Sequence, residues 1–123
     1  MSIPFWEIIT YSFGNALNTR RRRLNKAKQE IKSSYNKEHV AKELDWAKKS
    51  LGKLVKREYH RKDDMDKWNN FASSPSKSSK KEQVRQLKTA SNWLDKFYDR
   101  RKFHVDEEKK RERIIKAMNT KHE

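Results

Sequence analysis

The stretch EHVAKELDWAKKSLGKLVKREY, residues 38–59, decides how the rest of the chain is interpreted. Its large apolar residues can be assigned to two short helices joined by a tight turn. Leu44 lies on the inner face of the first helix, Leu51 seats the second helix against it, and Trp46 fills the turn between them. Under this interpretation every large apolar side chain of the stretch has a burial site.

A single uninterrupted amphipathic helix is the alternative interpretation of the same residues. Ala41, Leu44, Leu51 and Val55 also recur near the 3.6-residue period of an α-helix. In a continuous helix, however, Trp46 stands about 200° around the axis from Leu44, which leaves a large indole mostly in water. The position of this tryptophan therefore favours two helices with a turn at Asp45 to Ala47.

The order of residue types in the stretch resembles the helix-turn-helix of small bacterial and phage DNA-binding proteins. The resemblance covers residues 38–59 and rests on Val-Ala-x-x-Leu, a turn, a small residue, and then Leu in a second helix. Asp45 stands where that turn commonly has Gly, and Gly52 inside the second helix costs up to about 1 kcal/mol relative to Ala. The resemblance implies a recognition helix whose outward residues contact base edges and phosphates; these residues are Lys48, Lys49, Ser50, Lys53, Lys56 and Arg57.

Composition points to a polyanionic partner. The chain has 123 residues with 32 Lys and Arg against 17 Asp and Glu, which gives a net charge of +15. Such an excess favours nucleic acid or an anionic membrane surface. Thirteen aromatic residues argue against a wholly disordered chain. The sequence contains no cysteine, which excludes disulfides and zinc-finger chemistry and is compatible with a reducing cytoplasm.

A second basic element precedes the central stretch. Residues 19–34 are predicted to form a helix in which Leu24, Ala27 and Ile31 share one face. Four consecutive arginines around one helical turn repel one another unless negative charge lies nearby. We therefore expect phosphate contacts from this turn; the predicted residues are Arg20, Arg21, Arg22, Arg23 and Lys26.

The N-terminal residues 1–13, MSIPFWEIITYSF, are the most apolar part of the chain. They are too few to span a bilayer, and the positive charges follow the apolar run, which is the wrong order for a secretory signal. Phe5, Ile8, Ile9 and Phe13 fit the inner face of a packed helix. A short strand or an interfacial membrane anchor is the alternative.

The stretch ASSPSKSSKK, residues 72–81, predicts a boundary. Small and polar residues around Pro75 do not continue a helix, and Ser79 with Glu82 matches a capping box that begins the next one. The sequence thus predicts an all-α protein with an N-terminal helical domain at 1–71, a flexible linker at 72–81 and a C-terminal helical segment at 82–123. An echo of the central stretch leaves open a second, degenerate helix pair in that segment; it repeats Leu44, Ala47 and Leu51 as Leu87, Ala90 and Leu94.

Three functions remain open. The first is a DNA-binding protein, either a transcriptional regulator or an accessory protein of a plasmid, phage or transposable element, that binds double-stranded DNA in the cytoplasm. Both a monomer and a homodimer are compatible with this function. The second is an RNA- or ribosome-associated helical protein, which an exposed Trp93 or Tyr98 would support. The third is a helical interaction protein that binds an acidic protein or a membrane surface. Enzymatic activity, a metal site and a cofactor are not expected, because no spacing of histidines or carboxylates marks out a catalytic or ligand set.

Overall fold

The structure, a computed structural model, describes the backbone of residues 5–121 and the side chains of residues 16–120. Within that range the regular structure is entirely α-helical, which confirms the predicted all-α class. The helices are α1 (Phe5–Ser33), α2 (Lys37–Glu58), α3 (Lys62–Ser73) and α4 (Lys80–Lys121). The predicted inner face of the N-terminal helix lies outside the described side chains; its residues are Phe5, Ile8, Ile9 and Phe13. The backbone of α1 runs through Gly14 and Asn15 without a break.

Short connections and local caps define where the helices begin. The side chain of Asn36 accepts a hydrogen bond from the backbone N–H of His39 at 3.1 Å and so caps α2. The hydroxyl of Ser79 accepts one from the backbone N–H of Glu82 at 3.2 Å. The predicted start of a helix at Ser79 is therefore confirmed.

The four helices share one hydrophobic core. Helix α1 runs antiparallel to α4, because Asn18 contacts Tyr98 and Arg21 contacts Asp95. Every helix contributes side chains to a single buried cluster, so the described residues form one helical unit and not two separated by a linker. The cluster consists of Leu17, Leu24, Ala27, Ile31, Val40, Leu44, Ala47, Leu51, Val55, Trp68, Phe71, Leu87, Ala90, Trp93, Leu94 and Phe97.

The predicted turn at Asp45 to Ala47 is wrong, because residues 37–58 form one uninterrupted helix. Leu44, Ala47 and Leu51 are each at most 1% exposed, as the 3.6-residue period of a continuous helix requires. Trp46 lies on the opposite side of α2 from Leu44, yet it is partly buried and packs against the core cluster. The guanidinium of Arg23 from α1 stacks on its ring, with 4.0 Å between the guanidinium carbon and the ring centroid. This contact covers the indole without any turn in the backbone.

Gly52 lies where α2 packs against Trp68 of α3. A Cβ atom at this position would lie 3.3 Å from Cζ2 of Trp68. The Trp68 indole is 5% exposed and packs edge-to-face against Phe71 and Trp93, with ring centroids 5.4 and 5.5 Å away. The glycine therefore makes room for a buried indole, which offsets its low helix propensity.

The segment predicted to be a flexible linker is a packed loop flanked by helix ends. Ala72 and Ser73 belong to α3, Lys80 and Lys81 to α4. The loop between them is fixed by hydrogen bonds to α2 and α4, and Ser76 is only 9% exposed. The residues of α2 and α4 that form hydrogen bonds with this loop are Asp45, Lys48, Gln83 and Gln86.

The second, degenerate helix pair is not present, because α4 is a single helix of 42 residues. The echoed residues Leu87, Ala90 and Leu94 are each at most 1% exposed, like their counterparts in α2. The echo therefore reflects two helices that bury the same spacing of small and large side chains in a common core. Beyond Arg101, which forms an ion pair with Glu58 at the end of α2, α4 continues for about 30 Å.

Candidate nucleic-acid interface

Arg20, the first of the four consecutive arginines, has hydrogen-bond partners inside the protein. Its Nε donates to Oγ of Ser50 at 2.6 Å, and its Nη1 donates to the carbonyl of Ala16 at 3.0 Å. Burial lowers the pKa of this guanidinium from its ordinary value. Arg20 therefore links α1 to α2 and is not placed as an outward phosphate ligand.

Arg21 and Arg23 pair with carboxylates on two different helices. Nη2 of Arg21 lies 2.7 Å from Oδ1 of Asp95 on α4, and its guanidinium lies over the ring of Tyr98 at 4.0 Å. Arg23 forms a bidentate pair with Glu43 on α2, with N–O distances of 2.5 and 3.1 Å. The hydrogen bonds to Glu43 raise the pKa of Arg23. Three of the four arginines thus have partners on other helices of the bundle.

The acidic partners explain why the sequence did not reveal this arrangement. Glu43 is 20 residues from Arg23 and Asp95 is 74 residues from Arg21. Within residues 19–34 the single acidic residue is Glu30, so the sequence near the arginines shows neither of these partners. Arg22 and Lys26, the other two predicted phosphate contacts of α1, are exposed.

Two of the residues predicted to read bases are also occupied. Nζ of Lys48 donates to the carbonyl of Ser74 at 2.6 Å and to Oγ of Ser76 at 2.9 Å. Burial lowers the pKa of Lys48. Ser50 accepts the hydrogen bond from Arg20. Lys48 thus anchors the loop before α4, and neither side chain is available for a base edge. The remaining predicted residues of α2 are exposed; these are Lys49, Lys53, Lys56 and Arg57.

A continuous α2 aligns its outward lysines along one face. Lys42, Lys49 and Lys53 are separated by seven and four residues, a spacing that returns to the same side of a helix and extends about 16 Å along its axis. Lys42 was not among the predicted contacts, because the assumed turn placed it on a different helix from Lys49. Because α2 is continuous, Lys42 lies on the same face as Lys49 and Lys53.

Helix α1 contributes two further cations beside the lysine face of α2. Arg23 pairs with Glu43 and Glu30 with His39, so α1 and α2 run antiparallel in register and Arg22 and Lys26 lie level with Trp46 and Lys42. We refer to the set as the α1–α2 basic face. It consists of Arg22, Lys26, Lys42, Lys49 and Lys53, with Lys56 and Arg57 at its end.

The acidic residues around the basic face are already partnered. Glu43 binds Arg23, Oε2 of Glu30 lies 2.7 Å from Nε2 of His39, and Glu38 pairs with Lys77 at 3.1 Å. Oδ1 of Asp45 accepts a hydrogen bond from Ser76 at 2.5 Å. The cations of the basic face, by contrast, form no ion pair with a carboxylate of the described residues. Positive charge on this face is therefore uncompensated.

Aromatic rings near the cations are covered. Arg23 lies over Trp46, and Arg21 lies over Tyr98, whose hydroxyl also hydrogen-bonds Asn18. Trp93 is 4% exposed within the core. Of the two aromatic residues that would have supported base stacking, Trp93 is buried and Tyr98 is partly buried beneath Arg21.

The chain was compared with protein-family models, with curated proteins and with solved structures. None of them matches it. Any assignment of function therefore rests on the geometry above. Among the described side chains, no group of three or more histidines or carboxylates is placed to hold a metal ion. Over the same part of the chain, none of the helices combines the length and apolar character needed to cross a bilayer.

Proposed function

We propose that the protein binds double-stranded DNA through its phosphate backbone, with the α1–α2 basic face as the contact surface. The observation that carries the proposal is the row of uncompensated cations on two adjacent helices. Lysines held about 16 Å apart on a rigid helix can neutralise several phosphates at once and release their counterions. The net charge of +15 adds long-range attraction for the same partner.

A duplex is favoured over a single strand because of how the aromatic residues are used. Proteins that bind single strands commonly stack unpaired bases on exposed aromatic rings. Trp46, the aromatic residue within the basic face, is covered on one side by Arg23. The face therefore offers charge and little stacking surface, which suits a regular phosphate backbone.

Sequence-specific reading in the major groove is not part of the proposal. Specific base contacts need side chains that are free to reach base edges. Lys48 and Ser50, two of the six outward residues of the expected recognition helix, have internal partners. An accessory or architectural role in the cytoplasm, in which the protein holds or neutralises DNA, fits this geometry better than operator recognition by a transcriptional regulator.

The proposal is tested by removing charge from the basic face and, separately, from elsewhere. The triple variant Lys42→Ala/Lys49→Ala/Lys53→Ala removes three proposed phosphate contacts. The control triple Lys62→Ala/Lys67→Ala/Lys88→Ala lowers the net charge equally but changes exposed lysines of α3 and α4. Fluorescence anisotropy with a labelled duplex, measured between about 50 and 200 mM salt, gives the affinity and its salt dependence.

We expect the basic-face triple to flatten the slope of log K against log salt by up to about 2.7 units, since each lost phosphate contact contributes about 0.9. The control triple should change the slope much less. Two unrelated duplex sequences should bind alike, and a single strand more weakly. Equal losses from both triples would mean that binding depends on total charge alone. Tighter binding of single strands would contradict the preference for a duplex.

A further inference from the structure

The α4 extension, residues 102–121, carries large apolar side chains on its surface. Phe103 is 61% exposed, Ile114 53%, Ile115 51% and Met118 57%. Surface apolar residues are ordinary when they are scattered. Here Phe103 and Ile114 lie on the same side of one helix, eleven residues or about 17 Å apart, and two charged residues lie between them on that side.

Those two charged residues complete a single helix face. Phe103, Glu107, Lys110 and Ile114 are spaced by four, three and four residues, so their side chains lie in one row along α4. All four are exposed. The row is apolar at both ends and charged in the middle, with one acidic and one basic position.

The charges of the extension are antisymmetric about the middle of this row. Asp106-Glu107-Glu108 is followed directly by Lys109-Lys110-Arg111. If two copies of the helix lie antiparallel about the midpoint between Glu108 and Lys109, Glu107 of each copy is level with Lys110 of the other. Phe103 is then level with Ile114. Every position of the row thus meets a residue of matching chemistry.

We propose that the α4 extension is a self-association surface, on which a second copy of this chain binds antiparallel through Phe103, Glu107, Lys110 and Ile114. A parallel pair would place Glu107 against Glu107 and Lys110 against Lys110, which is repulsive. A uniformly acidic or basic partner would match only half of the row. The chain itself is the partner whose charges complement both halves.

Helix α2 does not overlap the proposed contact. Helix α2 ends beside Arg101, which forms an ion pair with Glu58. In the antiparallel pair Arg101 is level with Lys116 of the second copy, so each α2 lies beyond the overlapping row. An overlap of about 17 Å is small for a protein interface and predicts a weak, concentration-dependent dimer in the micromolar range or above.

The test uses charge reversal in the full-length protein. Glu107→Lys places two lysines opposite each other twice in every dimer, and Lys110→Glu does the same with two glutamates. Each single variant should weaken dimerisation by about tenfold or more in sedimentation equilibrium. A mixture of the two variants restores both opposite-charge contacts and should associate as a heterodimer. The double variant Glu107→Lys/Lys110→Glu should form a homodimer again.

Matched controls lie on the opposite side of the same helix. Glu112→Lys and Lys116→Glu make the same changes in charge and should leave dimerisation within about twofold of the wild type, while circular dichroism reports whether α4 stays helical. A wild-type protein that remains monomeric at the highest soluble concentration overturns the proposal. So does a mixture of the two single variants that associates no better than either alone. The outcome is independent of DNA binding, because nucleic acid is absent from the measurement.

Discussion

Gly52→Ala probes the contact between α2 and α3 directly. The added methyl would lie 3.3 Å from Cζ2 and 3.9 Å from Cε2 and Nε1 of Trp68. A separation of 3.3 Å is shorter than ordinary carbon–carbon contact, so the indole must move by a few tenths of an ångström to admit the methyl. Phe71 and Trp93 pack against that indole, which is 5% exposed and has little room to retreat.

Two opposing free energies decide the effect of this substitution on stability. Alanine favours a helix interior over glycine by about 1 kcal/mol. Overpacking a filled core typically costs about 1–3 kcal/mol. Because Trp68 is confined on several sides, we expect the steric cost to exceed the propensity gain and Gly52→Ala to lower the free energy of unfolding by about 1 kcal/mol.

The assay is chemical denaturation of a double-mutant cycle with Trp68→Phe. Phenylalanine keeps an aromatic ring beside Phe71 and Trp93 but removes the part of the indole that carries Cζ2. In that background Gly52→Ala should stabilise the protein by up to about 1 kcal/mol, which gives a coupling free energy of about 1–2 kcal/mol between the two positions. If Gly52→Ala stabilises the otherwise wild-type protein by about 1 kcal/mol, the packing described for Trp68 is refuted.

Two further predictions concern side chains whose role differs from the sequence expectation. Trp46→Ala should lower the free energy of unfolding by about 1–2 kcal/mol, because the indole is only partly buried beneath Arg23. Removing a fully buried aromatic side chain costs about 3–5 kcal/mol. A loss in that higher range, measured by denaturant titration, would mean that Trp46 is a core residue. The loop at residues 74–79 should resist limited proteolysis in the wild-type protein and become susceptible in Lys48→Ala, which removes the donor to Ser74 and Ser76. Rapid cleavage of the wild-type loop at Lys77 would argue against its hydrogen-bonded anchoring.

Hydrophobic periodicity predicted the helices well because it records which side of each helix is buried. Leu24, Ala27 and Ile31 were assigned to one face from their spacing alone, and all three are at most 6% exposed. The same signal appears in Leu87 and Leu94 of α4. Such positions are visible in sequence since burial repeats with the period of the helix.

The turn was mispredicted because its evidence depended on a contact between helices. Trp46 looked too exposed for a continuous helix, and the sequence does not show that Arg23 from α1 covers its ring. Likewise the four arginines were predicted to contact phosphates, but Asp95 pairs with Arg21 and Glu43 pairs with Arg23. Interactions between residues that are distant in the chain leave no periodic signature, and here they decide which cations remain free.

The structure therefore separates the basic residues into two groups. Arg20, Arg21, Arg23 and Lys48 have partners within the protein. The α1–α2 basic face carries cations without such partners among the described residues. Only this second group is expected to contact phosphates when DNA binds.

Lysine footprinting tests this division most directly. The protein is labelled with an amine-reactive acetylating reagent in the presence and absence of a short DNA duplex, and modification at each lysine is read by mass spectrometry. Lys42, Lys49 and Lys53 should become protected by the duplex, while Lys62 and Lys88, which are also exposed in the free protein, should not. Protection spread evenly over all exposed lysines, or concentrated away from α2, would contradict the α1–α2 basic face as the DNA-binding surface.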